Sequence, residues 1–364
     1  MEYRLICTKC GNKEPDSAFR CGKCGSILEV AYAKGEPKLK RAKKGSPMSR
    51  YLDFLPVKTI KPSLGEGGTR LKWFKFKGVD LFLKLETDNP TKTFKDRGSA
   101  VEISKAHELG AERVCCASTG NMGLSVAHYA RKAGIKCTIF ISSGANRKKI
   151  SKIRAQGASI VMVKGDFNRA LNKAEKFARN TDAFVCGDYH FRKEGQKTVG
   201  YEITEQLGRE PDFIFMPVGN ATLFSGVYKG LCEFKKAGLI KRMPRLAAVQ
   251  SEKCDPLVKA FIDHKKIGYV KPATEADAIA VGYPTFGFEA LSAIRSTRGF
   301  AIGVKESEIK QAVVGLQKLG VYAELGGGTG FAGFLHRYEN DRVSLLGRTV
   351  VVVVTGNNEG KFRR

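Results

Sequence analysis

The residues that could do chemistry in this sequence fall into three patterns. The first is a lysine in the run Asn89-Pro90-Thr91-Lys92-Thr93-Phe94-Lys95-Asp96-Arg97-Gly98, between an apolar, strand-like segment at 79–85 and a helical one. On a rigid turn at a helix N-terminus, partly desolvated, the Lys95 amine is biased toward its neutral form and can attack a carbonyl. A surface lysine beside Asp96 on a solvated helix face fits the same run. The second pattern is a pair of strand-to-helix turns built from small and hydroxylated residues. Gly219-Asn220-Ala221-Thr222-Leu223 follows the apolar run 213–218, and Ser118-Thr119-Gly120-Asn121 follows 113–117. Such turns aim successive backbone amides at an anion, and the helix dipole adds to them. The hydroxyls of the second turn suit a carboxylate, although plain N-capping by Ser118 or Thr119 has the same signature. The third pattern is two knuckles, Cys7-Thr8-Lys9-Cys10-Gly11 and Cys21-Gly22-Lys23-Cys24-Gly25. Two Cys-x-x-Cys pairs, each followed by glycine, can close four thiolates around one tetrahedral ion. This predicts a structural zinc ribbon with Cys7, Cys10, Cys21 and Cys24 as metal ligands. A redox pair or a four-thiolate iron site has the same spacing.

An α/β chain must position these groups. Apolar runs at 113–117, 137–141, 159–163, 213–217, 246–250 and 349–354 read as buried strands. Amphipathic stretches at 121–133, 167–179, 222–236 and 306–319 read as helices. From residue 79 onward the two alternate, the signature of largely parallel sheets. Residues 31–56 are basic and aperiodic and read as a linker with a lead-in strand region. At 364 residues there is room for two or three domains. No stretch reaches membrane-spanning length and no secretory signal is visible, which predicts no membrane partner and a cytoplasmic location. Of the ten cysteines, those outside the knuckles (Cys115, Cys116, Cys137, Cys186, Cys232 and Cys254) are expected in the core and not in disulfides. The net charge is +27, spread along the chain with dense clusters at 38–44 and 147–154. A generally basic surface is the first reading, attraction of anionic substrates the second, and nucleic-acid binding the third. No groove-reading motif or interleaved aromatic–basic stripe supports the last.

The lysine run resembles the Asn-Pro-Thr-Gly-Ser/Thr-Phe-Lys-Asp-Arg-Gly motif of threonine synthases, pyridoxal 5'-phosphate enzymes of fold type II (tryptophan synthase β-like). Gly65-Glu66-Gly67-Gly68-Thr69 resembles that family's Gly-Glu-Gly-x-Thr, and Arg192-Lys193-Glu194-Gly195-Gln196-Lys197-Thr198 its Arg-x-Glu-Gly-Gln-Lys-Thr. The order of motifs agrees from the N-terminal cysteines to Thr355, and archaeal-like members often begin with a similar cysteine pattern. The resemblance implies two α/β domains with parallel sheets plus the ribbon. The ribbon would take 1–30, a large cofactor-binding domain 31–100 and 191–364, and a small α/β domain 101–190, with the cofactor in the cleft between the last two. It implies that Lys95 is the catalytic residue, joined to the cofactor aldehyde and acting as the base for the substrate α-proton. Gly219, Asn220, Ala221, Thr222 and Leu223 would hold the cofactor phosphate, Asn121 its ring hydroxyl, and Thr355 would face its pyridine nitrogen. Ser118, Thr119 and Gly120 would take the substrate carboxylate, and Arg192 the substrate phosphate. The implied activity is that of a carbon–oxygen lyase. It converts O-phospho-L-homoserine and water to L-threonine and phosphate, in a homodimer.

The sequence also departs from the family pattern. Lys92 stands where glycine is usual, and Met122 where threonine is common. Cys186-Gly187-Asp188-Tyr189-His190-Phe191 precedes Arg192 in place of a segment with Asn-Ser and Pro, and Glu324-Leu325-Gly326-Gly327-Gly328-Thr329-Gly330 replaces Glu-Pro-x-Ser. Several hydroxyls expected around a phosphorylated substrate are thus missing; Lys92, Lys148 or Lys149 could supply replacement cations. His128 reads as an ordinary helix residue and His190 as a candidate pocket residue. The cofactor machinery matches more closely than the substrate machinery. This keeps open a cysteate-synthase-like β-replacement on O-phosphoserine and a serine or threonine dehydratase. Outside enzymes, it keeps open a nucleic-acid-binding zinc-ribbon protein.

Overall fold

The structure is a computed structural model that describes residues 2–33, 35, 37–118, 120–142, 147–165 and 167–357. Thr119 and the side chain of Lys148, both singled out above, lie outside the described residues. Contacts group the chain into two compact units, 1–67 with 95–196, and 68–94 with 197–364.

The first unit opens with a three-stranded antiparallel sheet in the order Lys13–Glu14, Tyr3–Cys7, Leu28–Tyr32. Leu5, Leu28 and Val30 are its buried face. Each cysteine knuckle is closed by a glycine amide: Gly11 donates to the Cys7 carbonyl at 3.1 Å and Gly25 to that of Cys21 at 2.8 Å. Both glycines have φ near +70°, where a side chain would be strained. A four-stranded parallel sheet follows, in the order Ser159–Val163, Lys136–Ser142, Arg113–Ala117, Phe184–Cys186. Helix Phe167–Thr181 lays Ala170, Ala174 and Ala178 against Cys115, Phe140 and Val185 of this sheet. Three alanines at a spacing of four make a low ridge, so the helix can lie close to the strands. Helix Lys95–Glu108 packs against helices Asn121–Ala133 and His190–Gln196. This packing draws 95–100 and 191–196 into the first unit, as contacts also draw 31–67, all of which the family resemblance gives to the larger domain.

The second unit is a six-stranded sheet in the order Phe300–Val304, Arg245–Ser251, Phe213–Pro217, Thr349–Val354, Val79–Leu85, Leu71–Phe76. It is parallel except for the edge strand Leu71–Phe76. Every residue of Thr349–Val354 is buried, as expected for a central parallel strand covered on both faces. Helix Leu325–Asp341 lies against this sheet through a stripe of glycines. A Cβ on Gly327 would overlap the Gly356 carbonyl and one on Gly333 the Val249 side chain, while one on Gly330 would stand 3.1 Å from Pro217 Cδ. Helices Thr198–Leu207, Thr222–Lys236, Pro256–Ile262, Gly287–Ser296 and Glu306–Lys318 complete the unit. Among the described residues no helix is long and apolar enough to cross a membrane. All ten cysteines are free of disulfides.

Candidate active site

In the first unit Lys95 is the first residue of its helix. Its side chain is 17% exposed, and its Nζ stands 4.0 Å from Asp188 Oδ1. Burial lowers the pKa of the amine, the Arg192 charge lowers it further, and Asp188 opposes both. The result is a larger neutral fraction, the form in which an amine is a nucleophile or a base. Arg192 Nη1 donates to the Lys95 carbonyl at 3.1 Å, Nε to the Gly187 carbonyl at 2.9 Å, and Nη2 to Ser99 Oγ at 3.2 Å. Nη2 also makes a close ion pair with Glu102. Glu102 Oε1 accepts from the Gly187 amide at 2.8 Å. Both Arg192 and Glu102 are fully buried. Two glycines let these segments meet. A Cβ on Gly98 would come within 2.6 Å of Arg192 Cγ, and one on Gly195 would overlap the Arg97 carbonyl oxygen.

The turn before helix Asn121–Ala133 lies in the same unit. Ser118 Oγ accepts from the Gly120 amide at 3.3 Å and the Gly123 amide at 2.8 Å, so this hydroxyl serves the first turn of the helix. Gly120 is the N-cap and Asn121 the first helical residue. Lys149 is buried at this turn: a Cβ on Gly120 would stand 3.5 Å from its Cδ and 3.7 Å from its Nζ. Lys149 is one of the three lysines that could replace missing hydroxyls, and the structure brings it to the turn.

In the second unit the segment that ends at Phe94 is stitched to the end of strand Thr349–Val354. Thr93 bridges Gly356, the Phe94 amide donates to the Thr355 carbonyl at 3.0 Å, and the Asn357 amide to that of Lys92 at 2.9 Å. Thr355 is buried. Lys92 has φ +66°, which explains why glycine is usual at this place in the motif it resembles. Asn89 Nδ2 donates to the carboxylate of buried Glu86 at 2.8 Å, and Thr69 Oγ1 donates to the same carboxylate at 2.8 Å. The turn at 219–223 opens helix Thr222–Lys236, and no side chain caps that helix from Ala221, which has φ +64°. Thr285 Oγ1 donates to Asn220 Oδ1 at 3.2 Å, and the Phe286 amide to the Asn220 carbonyl at 3.1 Å. A long helix with an apolar N-cap presents its first amides without a competing side-chain acceptor. Those donors fit a phosphate.

The knuckle cysteines converge. Their four Sγ atoms lie within 4.8 Å of one another, with Cys7–Cys24 at 3.4 Å and Cys10–Cys21 at 3.6 Å. Tetrahedral Zn–S bonds of about 2.3 Å place sulfurs roughly 3.8 Å apart, so the set fits one such ion. Backbone amides of Cys10 and Lys9 point at Cys7 Sγ, each at 3.4 Å, and hold that thiol below its ordinary pKa.

Residues 62–356 match the family model for pyridoxal-phosphate dependent enzymes. The chain is 36% identical to the threonine synthase of Methanocaldococcus jannaschii, with 96% of this chain and 91% of that relative covered. It is 34% identical to the threonine synthase of Methanosarcina acetivorans, covering 98% and 91%. The chain belongs to the threonine synthase family of pyridoxal-phosphate dependent enzymes. Solved structures share the α/β fold. A maize serine racemase aligns with a TM-score of 0.70 at 22% identity, over 80% of this chain and 88% of that one. A processed threonine deaminase isoform from Solanum lycopersicum aligns with a TM-score of 0.69 at 22% identity, over 81% and 84%.

Set beside the family motif, the first unit joins Lys95 with Arg192 and Ser118 with Gly120. The second holds 219–223 and Thr355. Sequence reasoning missed Glu102 and the contact of Asp188 with Lys95. Glu102 sits one turn past Gly98 on the lysine helix; its only sequence signal is a carboxylate at a position that a helical wheel turns inward with Ser99 and Ile103. His190 is buried beside Phe191 and lines a small cavity with Glu102 and Tyr189.

Proposed function

We propose that this chain converts O-phospho-L-homoserine and water to L-threonine and phosphate. The observation that carries this reading is near-full-length similarity to threonine synthases, joined to a desolvated Lys95 on the motif turn. When bound, pyridoxal 5'-phosphate supplies an electron sink for charge developed at the substrate α-carbon. Lys95 would hold it, and would take and return the α-proton, a task served by an amine whose pKa burial has lowered. Gly219, Asn220, Ala221, Thr222 and Leu223 take the cofactor phosphate on the helix amides. Asn121 takes its ring hydroxyl, and the Thr355 hydroxyl faces its ring nitrogen. Ser118, Thr119 and Gly120 orient the substrate carboxylate. Lys149, buried beside Gly120, adds positive charge there for an anionic substrate.

The test is phosphate release and threonine formation from O-phospho-L-homoserine by the wild type and Lys95→Ala. The variant should lose turnover by at least about a thousandfold, and borohydride reduction should leave a cofactor adduct on Lys95 of the wild type alone. Turnover of O-phosphoserine with sulfite, or release of 2-oxobutanoate from threonine, with phosphohomoserine untouched, would replace this reading by β-replacement or dehydration.

The ribbon cysteines are proposed to hold one structural zinc, and metal analysis of the same preparations should find about one zinc per chain. The reading further includes a homodimer in the cytoplasm. Light scattering checks the first of these.

A further inference from the structure

We propose that the N-terminal three-stranded sheet positions the helix that carries Arg192, with Glu29 and Tyr32 as positioning residues for the phosphate end of the substrate site. This rests on the reading in which Arg192 takes the substrate phosphate, as the family resemblance implies.

Helix His190–Gln196 cannot hold its place by itself. It has seven residues, Gly195 among them. Isolated helices shorter than about 12 residues are marginal in water, and an internal glycine weakens them further. All seven residues are buried, so its neighbours fix where it lies. One neighbour is helix Lys95–Glu108, met through Gly98, Arg192 and Gly195. At about 100° per residue, Lys193 and Glu194 turn away from that side. Strand Leu28–Tyr32 meets them there. Lys193 makes a close ion pair with Glu29, and Tyr32 Oη donates to Glu194 Oε2 at 2.5 Å. Lys193 and Glu194 are only 1% and 0% exposed. Charges at that depth are costly without partners, and two residues of one strand supply them. The same sheet touches the start of the helix. Tyr3 packs edge-on against Phe191 with ring centres 6.4 Å apart, and Lys105 Nζ stands 5.2 Å from the first ring and 5.7 Å from the second. The segment that joins the sheet strands is anchored as well. Arg20 Nε donates to Glu175 Oε1 at 2.7 Å, and the same oxygen accepts from Tyr189 Oη, just before the helix, at 2.8 Å. Arg192 thus lies between Phe191 and Lys193, both touched by the sheet, and its Nη1 reaches the Lys95 carbonyl at 3.1 Å. Any shift of the helix moves the guanidinium relative to the cofactor lysine. A displacement of about 1 Å at such a group costs on the order of a hundredfold in rate.

The experiment uses the cofactor-loaded full chain with Glu29→Gln, Tyr32→Phe and the two combined. Both substitutions keep the size of the side chain and remove the charge or the hydroxyl that meets the helix. Four quantities are read: KM for O-phospho-L-homoserine, inhibition by inorganic phosphate, inhibition by L-threonine, which carries no phosphate, and amide hydrogen exchange over 190–196. The combined variant should raise KM and weaken phosphate inhibition by about tenfold. Inhibition by L-threonine should stay within about twofold, and exchange over 190–196 should quicken by about tenfold or more. Unchanged phosphate inhibition in the folded variant overturns the proposal. Equal weakening of phosphate and L-threonine inhibition overturns it too, because that pattern marks a general loosening of the unit. Should Glu29→Gln fail to fold, Tyr32→Phe decides alone, with phosphate inhibition weaker by about threefold. The two levels separate at the wild type. If it leaves O-phospho-L-homoserine untouched, the functional reading ends, and hydrogen exchange decides the brace: faster exchange in the variants upholds it and unchanged exchange ends it. If the wild type turns over that substrate and the variants match it in all four quantities, only the brace ends.

Discussion

The turn at Lys95 and the turn at 219–223 are secured differently. At Lys95 the backbone is gripped by a buried ion pair, Glu102 with Arg192, whose hydrogen bonds end on the Lys95 and Gly187 carbonyls. At 219–223 neutral groups reach Asn220, the Thr285 hydroxyl and the Phe286 amide, and Ile279 packs against Gly219. A charged grip is strong at short range but brings a desolvation cost and a dependence on pH. Backbone amides at a helix N-terminus have neither, and they suit a ligand whose charge never changes sign. Under the proposed function, the tunable part of the molecule falls to the Lys95 amine and the fixed part to the 219–223 turn.

The sharpest way to break the first grip is steric. Gly195→Ala drives a methyl into the Arg97 carbonyl oxygen, and backbone on both sides leaves little room to yield. A loss of about 3 kcal/mol is expected, seen as a thermal unfolding midpoint lower by several degrees. An unchanged midpoint with normal activity would mean the helices are not locked at this point. The next largest effect comes from pH. Burial pushes the Glu102 carboxyl up to about 7, against the pull of Arg192. Glu102 is therefore ionised above that pH and its pair with Arg192, which also bonds the Lys95 carbonyl, is fully charged there, so kcat should fall as pH drops through about 7. Stability runs the other way. A carboxyl whose folded pKa is raised contributes most below its ordinary value, and that contribution is lost as pH rises through the folded pKa. Glu102→Gln should flatten the acid limb of kcat between pH of about 6 and 8; an identical limb in the variant would assign it to another group. The smallest effect is at the neutral turn. Ala221 holds φ +64°, a strain of about 1 kcal/mol for an L-residue. Ala221→Gly relieves it but enlarges the unfolded ensemble by a similar amount. Stability should shift by about half a kcal/mol or less, with kcat unchanged. A large loss measured by denaturant unfolding would show that the alanine methyl makes contacts the turn depends on.

Much of the scaffold was legible in sequence. The runs 113–117, 159–163, 213–217 and 349–354 are strands with those same bounds, and 121–133 and 222–236 are helices with theirs. Each has an uninterrupted apolar run or a clear helical period, and the next glycine or polar cluster ends it. Helix Leu325–Asp341 was not legible. Five glycines fall within its first nine residues, and local propensity argues against a helix that packing against the sheet nevertheless imposes. Strand Phe184–Cys186 is too short to show a period. The convergence of Cys7, Cys10, Cys21 and Cys24 was readable because the four are close in sequence. Arg192 was readable as a motif, but its engagement was not: Glu102 lies 90 positions away, and a helical wheel that turns a glutamate inward does not say which group it meets.

Strand Thr349–Val354 lies in the middle of the six-stranded sheet, between Phe213–Pro217 and Val79–Leu85. A ribosome delivers it after the other five strands of the sheet. Until it emerges, two strands made long before have no shared neighbour, and the glycine-rich helix just ahead of it has only part of a surface to dock on. Closure of this unit must therefore wait until residue 354 has been made, and a nascent chain halted at residue 340 would hold an incomplete sheet with two exposed edges.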